Sequence, residues 1–156
     1  MEIERKFLIK KLPDNLDTYP YKEIEQGYLN TSPVVRIRKS DENYELTYKS
    51  KGHMVREEYN LPLNKESYYH LKEKVDGRII SKTRYLIPLE YTPTKNTLTI
   101  ELDIFKDDLS PLMIAEVEFE TENDAKEFIA PSWFGKDVTF DGKFHNSYLS
   151  NSSISL

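Results

Sequence analysis

A mainly β domain, with antiparallel strands and few helices arranged as a closed barrel or a sandwich, is what this sequence predicts. Three observations lead there. Eight stretches alternate apolar and polar residues with a period of two. Only two stretches carry convincing helix signals. The 156 residues fit one domain spanning 1–156, since two would each have a thin core.

In chain order, the predicted strands cover 2–9, 24–30, 34–39, 44–50, 54–61, 83–87, 97–105 and 114–120. The segment 10–22, with Pro13 and Pro20, reads as an irregular loop. A helix over 65–75 follows Asn64, a good N-cap, and stops before Gly77. A second helix over 122–130 follows Thr121, has Asp124 placed for a capping box, and stops at Pro131. A short helix around 144–150 is expected in the tail.

Composition excludes several classes. Hydrophobic residues are 38% and charged residues 31%, with 11 Tyr and 7 Phe, too aromatic a chain for disorder. Cysteine is absent, so there is no disulfide framework or thiolate metal site, and a reducing cytoplasm is expected. No apolar run approaches the roughly 20 residues of a membrane span. Glu2 and Glu4 do not suit a signal peptide. A net charge of −5 gives no reason to expect nucleic acid as a partner.

The polar faces of the strands carry more charge than a wet surface needs. Like charges recur at i and i+2, on one strand face, in Glu2/Glu4, Arg36/Arg38, Lys82/Arg84, Glu101/Asp103 and Glu116/Glu118/Glu120. Like charges side by side on a sheet cost roughly 0.2–1 kcal/mol per pair. A cation would neutralise the acids and an anion the bases. Carboxylates without Cys or His suit hard cations such as Mg²⁺, Mn²⁺ or Ca²⁺. Converging guanidinium and ammonium groups suit phosphate. A metal beside a phosphate points to phosphoryl transfer. If these faces point inward, the barrel encloses a charged channel, and the helices at 65–75 and 122–130 cover its apolar outside.

Glu2-Ile3-Glu4-Arg5-Lys6 resembles the ExExK signature of the triphosphate tunnel metalloenzymes, the CYTH superfamily. Further segments match in family order: Glu25-Gln26-Gly27-Tyr28-Leu29, Val35-Arg36-Ile37-Arg38, Leu46-Thr47-Tyr48-Lys49 and Val55-Arg56-Glu57-Glu58. Lys82-Thr83-Arg84-Tyr85, Ile100-Glu101-Leu102-Asp103 and Glu116-Val117-Glu118 complete the set. The resemblance implies an eight-stranded antiparallel closed β-barrel, a tunnel, with helices packed outside. It implies Glu2, Glu4, Asp103, Glu116 and Glu118 as ligands of Mg²⁺ or Mn²⁺, with Glu101 ranked after Asp103. It implies Lys6, Arg36, Arg38, Lys49, Lys82 and Arg84 as phosphate-binding residues. Glu58 would orient these bases or assist the metal, and Lys143 resembles a C-terminal basic position. Lys6, Glu4 and Tyr28 are the catalytic candidates, with Tyr28 equally readable as a packed aromatic.

The family includes inorganic triphosphatases, thiamine triphosphatases, RNA 5′-triphosphatases and class IV adenylate cyclases. EIERKFL, QGYL and KTRYLIP most resemble the inorganic triphosphatases. The expected function is therefore metal-dependent hydrolysis of inorganic triphosphate to diphosphate and phosphate. A cyclase, a thiamine triphosphatase and a non-catalytic polyphosphate sensor stand as alternatives. The expected partner is a small-molecule triphosphate, without membrane; a homodimer stays open. Lys39, Lys51, His53, His70 and His145 read as surface residues, and Glu45 and Glu120 as solvent-facing at a tunnel mouth.

Overall fold

The computed structural model describes residues 1–91 and 96–151. Its strands are β1 (Glu2–Ile9), β2 (Tyr21–Thr31), β3 (Val34–Ser40), β4 (Asn43–Lys49), β5 (Val55–Arg56), β6 (Glu58–Leu63), β7 (Asp76–Tyr91), β8 (Asn96–Phe105), β9 (Met113–Glu118) and β10 (Phe134–Asp137). Three helices accompany them: α1 (Lys65–Lys72), α2 (Glu122–Glu127) and α3 (Asn146–Leu149).

One antiparallel path runs β10-β1-β9-β8-β7-β2-β3-β4-β6. The β5–β6 segment bends back from this path: Lys49 faces Glu58 between β4 and β6, while Arg56 faces Glu2 between β5 and β1. The sheet thus curls into a barrel whose seam is closed by a short pairing, leaving few free edges. Nine strands lie on the path instead of the eight expected. The addition is β10, whose Phe-Gly-Lys-Asp sequence is too short to show alternation. The expected strand at 54–61 is divided at Glu57, because its two halves pair with different neighbours.

β7 extends well beyond the expected 83–87, since it pairs with β2 along its first half and with β8 along its second. Gly27 sits where β2 passes closest to Val75: a Cβ there would lie 2.7 Å from the valine Cγ1. No larger side chain fits without displacing that contact.

Both expected helix starts hold. Asn64 accepts from the Ser67 amide at 2.7 Å, and Thr121 Oγ1 accepts from the Asp124 amide at 3.0 Å. Both helices end early, α1 at Lys72 and α2 at Glu127, where Phe128 turns extended. The expected loop at 10–22 contains a 3₁₀ turn at Leu16–Thr18, and β2 begins at Tyr21. α3 falls within the predicted 144–150.

α2 packs on β1, and α1 on β3 and β4, covering the outer faces as expected. Ile3, Phe7, Leu102 and Val117 from outward faces join Ala125 and Phe128 in one buried cluster. The inward face is charged over only part of its depth. Ile80, Phe105, Ile114 and Val34 lie on the strand faces that also carry Lys82, Asp103, Glu116 and Arg36. They form a second apolar cluster with Tyr28 and with Leu149 of α3. The polar cavity therefore sits above an apolar floor, and depth along the barrel decides which charges reach it.

Candidate active site

Register builds the site. Directly opposed residues share a face, so pairing Glu4 with Glu118 and Lys6 with Glu116 aligns β1 with β9. Glu101 faces Glu116, Tyr28 faces Arg36, and Arg38 faces Glu45. The resulting cavity is about 170 Å³. Its acidic wall includes Glu2, Glu4, Glu116 and Glu118, and its basic wall Lys6, Arg36, Arg38, Lys49 and Arg84. Glu58 and Tyr28 line it too. Glu45 lines it as well, in place of merely facing solvent.

Three expected site residues are not on the wall. Lys82 and Asp103 are fully buried beside it. Arg84 donates to both Asp103 oxygens, at 2.7 and 2.9 Å, and Lys82 Nζ reaches Asp103 Oδ2 at 2.7 Å. Burial favours protonated Asp103, but Arg84 and Lys82 outweigh it and hold its pKa low. Its lone pairs are committed to these bases, while Glu101 lines the cavity and accepts from Arg84 at 3.0 Å. Alternation puts Glu101 and Asp103 on one face and cannot rank them; depth does. Lys143 is exposed on the turn Gly142–Phe144, away from the wall.

The bases divide into two kinds. Lys49 bonds Glu2 at 3.0 Å and Glu58 at 3.3 Å, and Lys6 lies 3.9 Å from Glu116. Arg36 and Arg38 have no carboxylate within ion-pair distance among the described residues. Arg36 donates to Thr47 Oγ1 at 3.1 Å, and its buried Nε has no partner among the described residues. Arg38 donates twice to Gln26 Oε1, at 2.9 and 2.7 Å. Burial and the neighbouring Arg36 and Arg84 lower the Arg38 pKa to about 10, which leaves it charged. Charges withdrawn from water without counterions are costly, and an anion in the cavity would offset that cost for both arginines.

The acids show the converse. Burial, then Glu116 and Glu2, raise the Glu4 pKa to about 8. Glu116 is buried too, yet Lys6, Arg84 and Lys82 pull it well below the carboxylate range. Burial also raises Glu118, at the exposed rim, with Glu58 and Glu101 adding repulsion. Among the described residues no three carboxylates or imidazoles converge as a ready-made metal cluster. The acids are spread along the wall and partly engaged by lysines. Their chemistry nonetheless fits a hard cation: the Glu4 carboxylate has no hydrogen bond or ion pair among the described residues, and a divalent charge would remove the repulsion that helps raise its pKa.

The sequence reading missed three positions. Gln26 is fully buried and holds Arg38, Tyr28 Oη (2.9 Å) and Asn146 Oδ1 (3.3 Å) together. It belongs to a segment already singled out, but no periodicity marks a glutamine as a hub. Arg56 lines the cavity, and its place two residues before Glu58 on the same face was the available signal. His145, expected at the surface, is buried on the wall at the start of α3. Only the folding-back of the tail puts it there. Lys51, His53 and His70 are exposed as expected.

Gln26→Leu is expected to lower stability by about 2–4 kcal/mol, because Arg38, Tyr28 and Asn146 lose a buried partner at once. Chemical denaturation measures this; an unchanged midpoint would mean that Gln26 does not hold the network.

Comparisons with known proteins identify the family and the fold. Residues 1–148 match the CYTH domain. The chain is 40% identical over 152 residues to an inorganic triphosphatase of Nitrosomonas europaea, covering 95% of each. It is 30% identical over 159 residues to an inorganic triphosphatase of Acetivibrio thermocellus, covering 95% of this chain and 92% of that one. A crystal structure of an inorganic triphosphatase superimposes with a TM-score of 0.70 at 36% identity, over 100% of this chain and 97% of that one.

Proposed function

The chain belongs to the CYTH domain family, and on that premise we propose that it is a triphosphatase that hydrolyses inorganic triphosphate to diphosphate and phosphate. The observation that carries the reading is the pair on the cavity wall, Arg36 buried and Arg38 half-buried, whose side-chain partners among the described residues are neutral. A triphosphate supplies the missing counter-charge. The lining favours an inorganic chain over a nucleotide or thiamine ester, since among the described residues Val34 is its one aliphatic side chain and offers a base no apolar bed.

In this mechanism Arg36, Arg38 and Lys49 bind phosphate oxygens and fix the chain along the cavity. Arg84, already held by Asp103, presents its remaining charge with fixed geometry. Tyr28 takes a hydrogen bond from Gln26 and keeps its own proton to donate to a phosphate oxygen. Water attacks the terminal phosphorus, the bridging P–O bond breaks, and the electron pair leaves on diphosphate, stabilised by Lys6 and the guanidiniums. Glu118, at the rim and without a basic partner among the described residues, accepts the water's proton and passes it to solvent. Glu2, Glu4 and Glu116 would hold Mg²⁺ or Mn²⁺, which supplies charge neutralisation and acidifies water. The cysteine-free chain suits a reducing cytoplasm, the proposed compartment. No helix among the described residues is long and apolar enough to cross a membrane.

Phosphate release from inorganic triphosphate, ATP, thiamine triphosphate and longer polyphosphate tests the assignment. Turnover is expected to be highest on inorganic triphosphate, lost in excess chelator, and restored by Mg²⁺ or Mn²⁺. Binding without release would make the protein a sensor, cyclic AMP from ATP would make it a cyclase, and turnover in excess chelator would end the metal mechanism.

A further inference from the structure

Arg56 on β5 is a further guanidinium on the cavity wall, 7% exposed, and like Arg36 and Arg38 it has no carboxylate in ion-pair range among the described residues. Its terminal nitrogen lies 2.8 Å from His145 Nδ1. A guanidinium has donors only, so Nδ1 must be the acceptor, and His145 is the neutral tautomer protonated at Nε2. Burial, then Lys6, Arg56 and His53, depress the His145 pKa to about 3, with the Thr139 backbone acting the other way. The ring therefore stays neutral over the working range.

The neutrality matters. A carboxylate at position 145 would orient Arg56 equally well but would neutralise it. An imidazole fixes the guanidinium and leaves its full charge for a ligand. The same device recurs around the cavity, where Thr47 holds Arg36 and Gln26 holds Arg38. Arg84, held by Asp103 and Glu101, is the contrast. Arg56 Nε is also buried without a partner among the described residues.

The geometry points to Arg56 as a further phosphate-binding residue and to His145 as the positioning residue that aims it while leaving its charge free. This rests on the triphosphatase reading and extends the anion site to β5 and the C-terminal segment. Arg56 faces Glu2 across the seam, so the phosphate it binds lies at the end of the chain next to β1.

The test compares wild type with Arg56→Met, His145→Leu, His145→Asn and the Arg56→Met/His145→Leu double variant. Readouts are steady-state kinetics on triphosphate with Mg²⁺, and calorimetric binding of triphosphate without divalent cation. Arg56→Met should raise KM about tenfold or more, as loss of a charge-assisted contact does, while kcat falls less. His145→Leu should reproduce that change. His145→Asn, whose Oδ1 can accept the same N–H, should recover most of it. In the double variant His145→Leu should add nothing to Arg56→Met. Wild-type KM and affinity in Arg56→Met would overturn the proposal. So would losses that multiply in the double variant, or His145→Asn behaving like His145→Leu. If His145→Leu fails to fold, Arg56→Met and His145→Asn decide alone. Wild type that binds triphosphate without hydrolysing it would overturn the triphosphatase reading, and the calorimetric ranking of the variants would then support or overturn the Arg56 assignment; wild type that does neither overturns both.

Discussion

Arg36→Ala and Arg38→Ala are each expected to reduce triphosphate turnover by roughly a hundredfold or more, with the barrel still folded. Each guanidinium can make charge-assisted contacts of roughly 1.5–3 kcal/mol, and about 1.4 kcal/mol corresponds to a factor of ten in rate. The stability of the two variants should differ. Among the described residues the Arg36 guanidinium has one hydrogen bond, to Thr47, and an unpartnered Nε, so its removal relieves a buried uncompensated charge. Arg36→Ala should melt near wild type or higher in the absence of ligand. Arg38→Ala leaves Gln26 Oε1 buried without its two donors, which costs about 1–3 kcal/mol. Ligand-free melts beside the rate assay separate the two effects. Wild-type rates in both variants would return these arginines to an ordinary structural role.

Glu4→Gln should remove activity and cation-induced stabilisation together while making the cation-free protein more stable above neutral pH. The folded pKa of Glu4 is raised from 4.5 to about 8 by burial, Glu116 and Glu2. A raised carboxyl binds its proton more tightly folded than unfolded. Its contribution to stability is thus fully present below about 4.5 and is lost as pH rises through about 8. The loss is on the order of a few kcal/mol. Glutamine keeps the size and cannot ionise, so wild type should weaken relative to Glu4→Gln across that window. His145 works in the opposite sense. Its pKa is lowered to about 3, so its contribution is present above 6.5 and fades as pH falls toward 3. Both proteins contain His145, and its effect cancels in the difference. Mg²⁺ or Mn²⁺ at a hundredfold excess over Kd should return about 2.7 kcal/mol to wild type and little to Glu4→Gln. Melts at pH 5, 7 and 9, with and without cation, measure all of this. Parallel curves for the two proteins would place the cation elsewhere.

Particular residues show how much was legible beforehand. Arg36 and Arg38 could be read because alternation fixes the face and their repeated sign resists a wet-surface explanation. Glu2, Glu4 and Lys6 could be read for the same reason, reinforced by the family signature. Gln26 could not, because its role is to accept from Arg38 on the next strand and to bond Asn146 far along the chain. β10 escaped because four residues cannot display a period. The length of β7 escaped because its two halves are stabilised by different partners, which no local window contains.

By itself the sequence determined a mainly β class and the gathering of like charges on single strand faces, because side-chain alternation and charge type are local properties of the chain; the barrel, and an anion beside a hard cation within it, came as expectations from the family resemblance and from charge type. Tertiary structure alone decided depth and company. Glu101 reaches the cavity while Asp103 is held by Arg84 and Lys82; Lys82 is sealed beside Phe105 and leaves the wall; Arg56 and His145, 89 residues apart, meet across it. These outcomes depend on register, on the apolar floor beneath the cavity and on the return of the C-terminal segment. All three are set by contacts between residues distant in the chain.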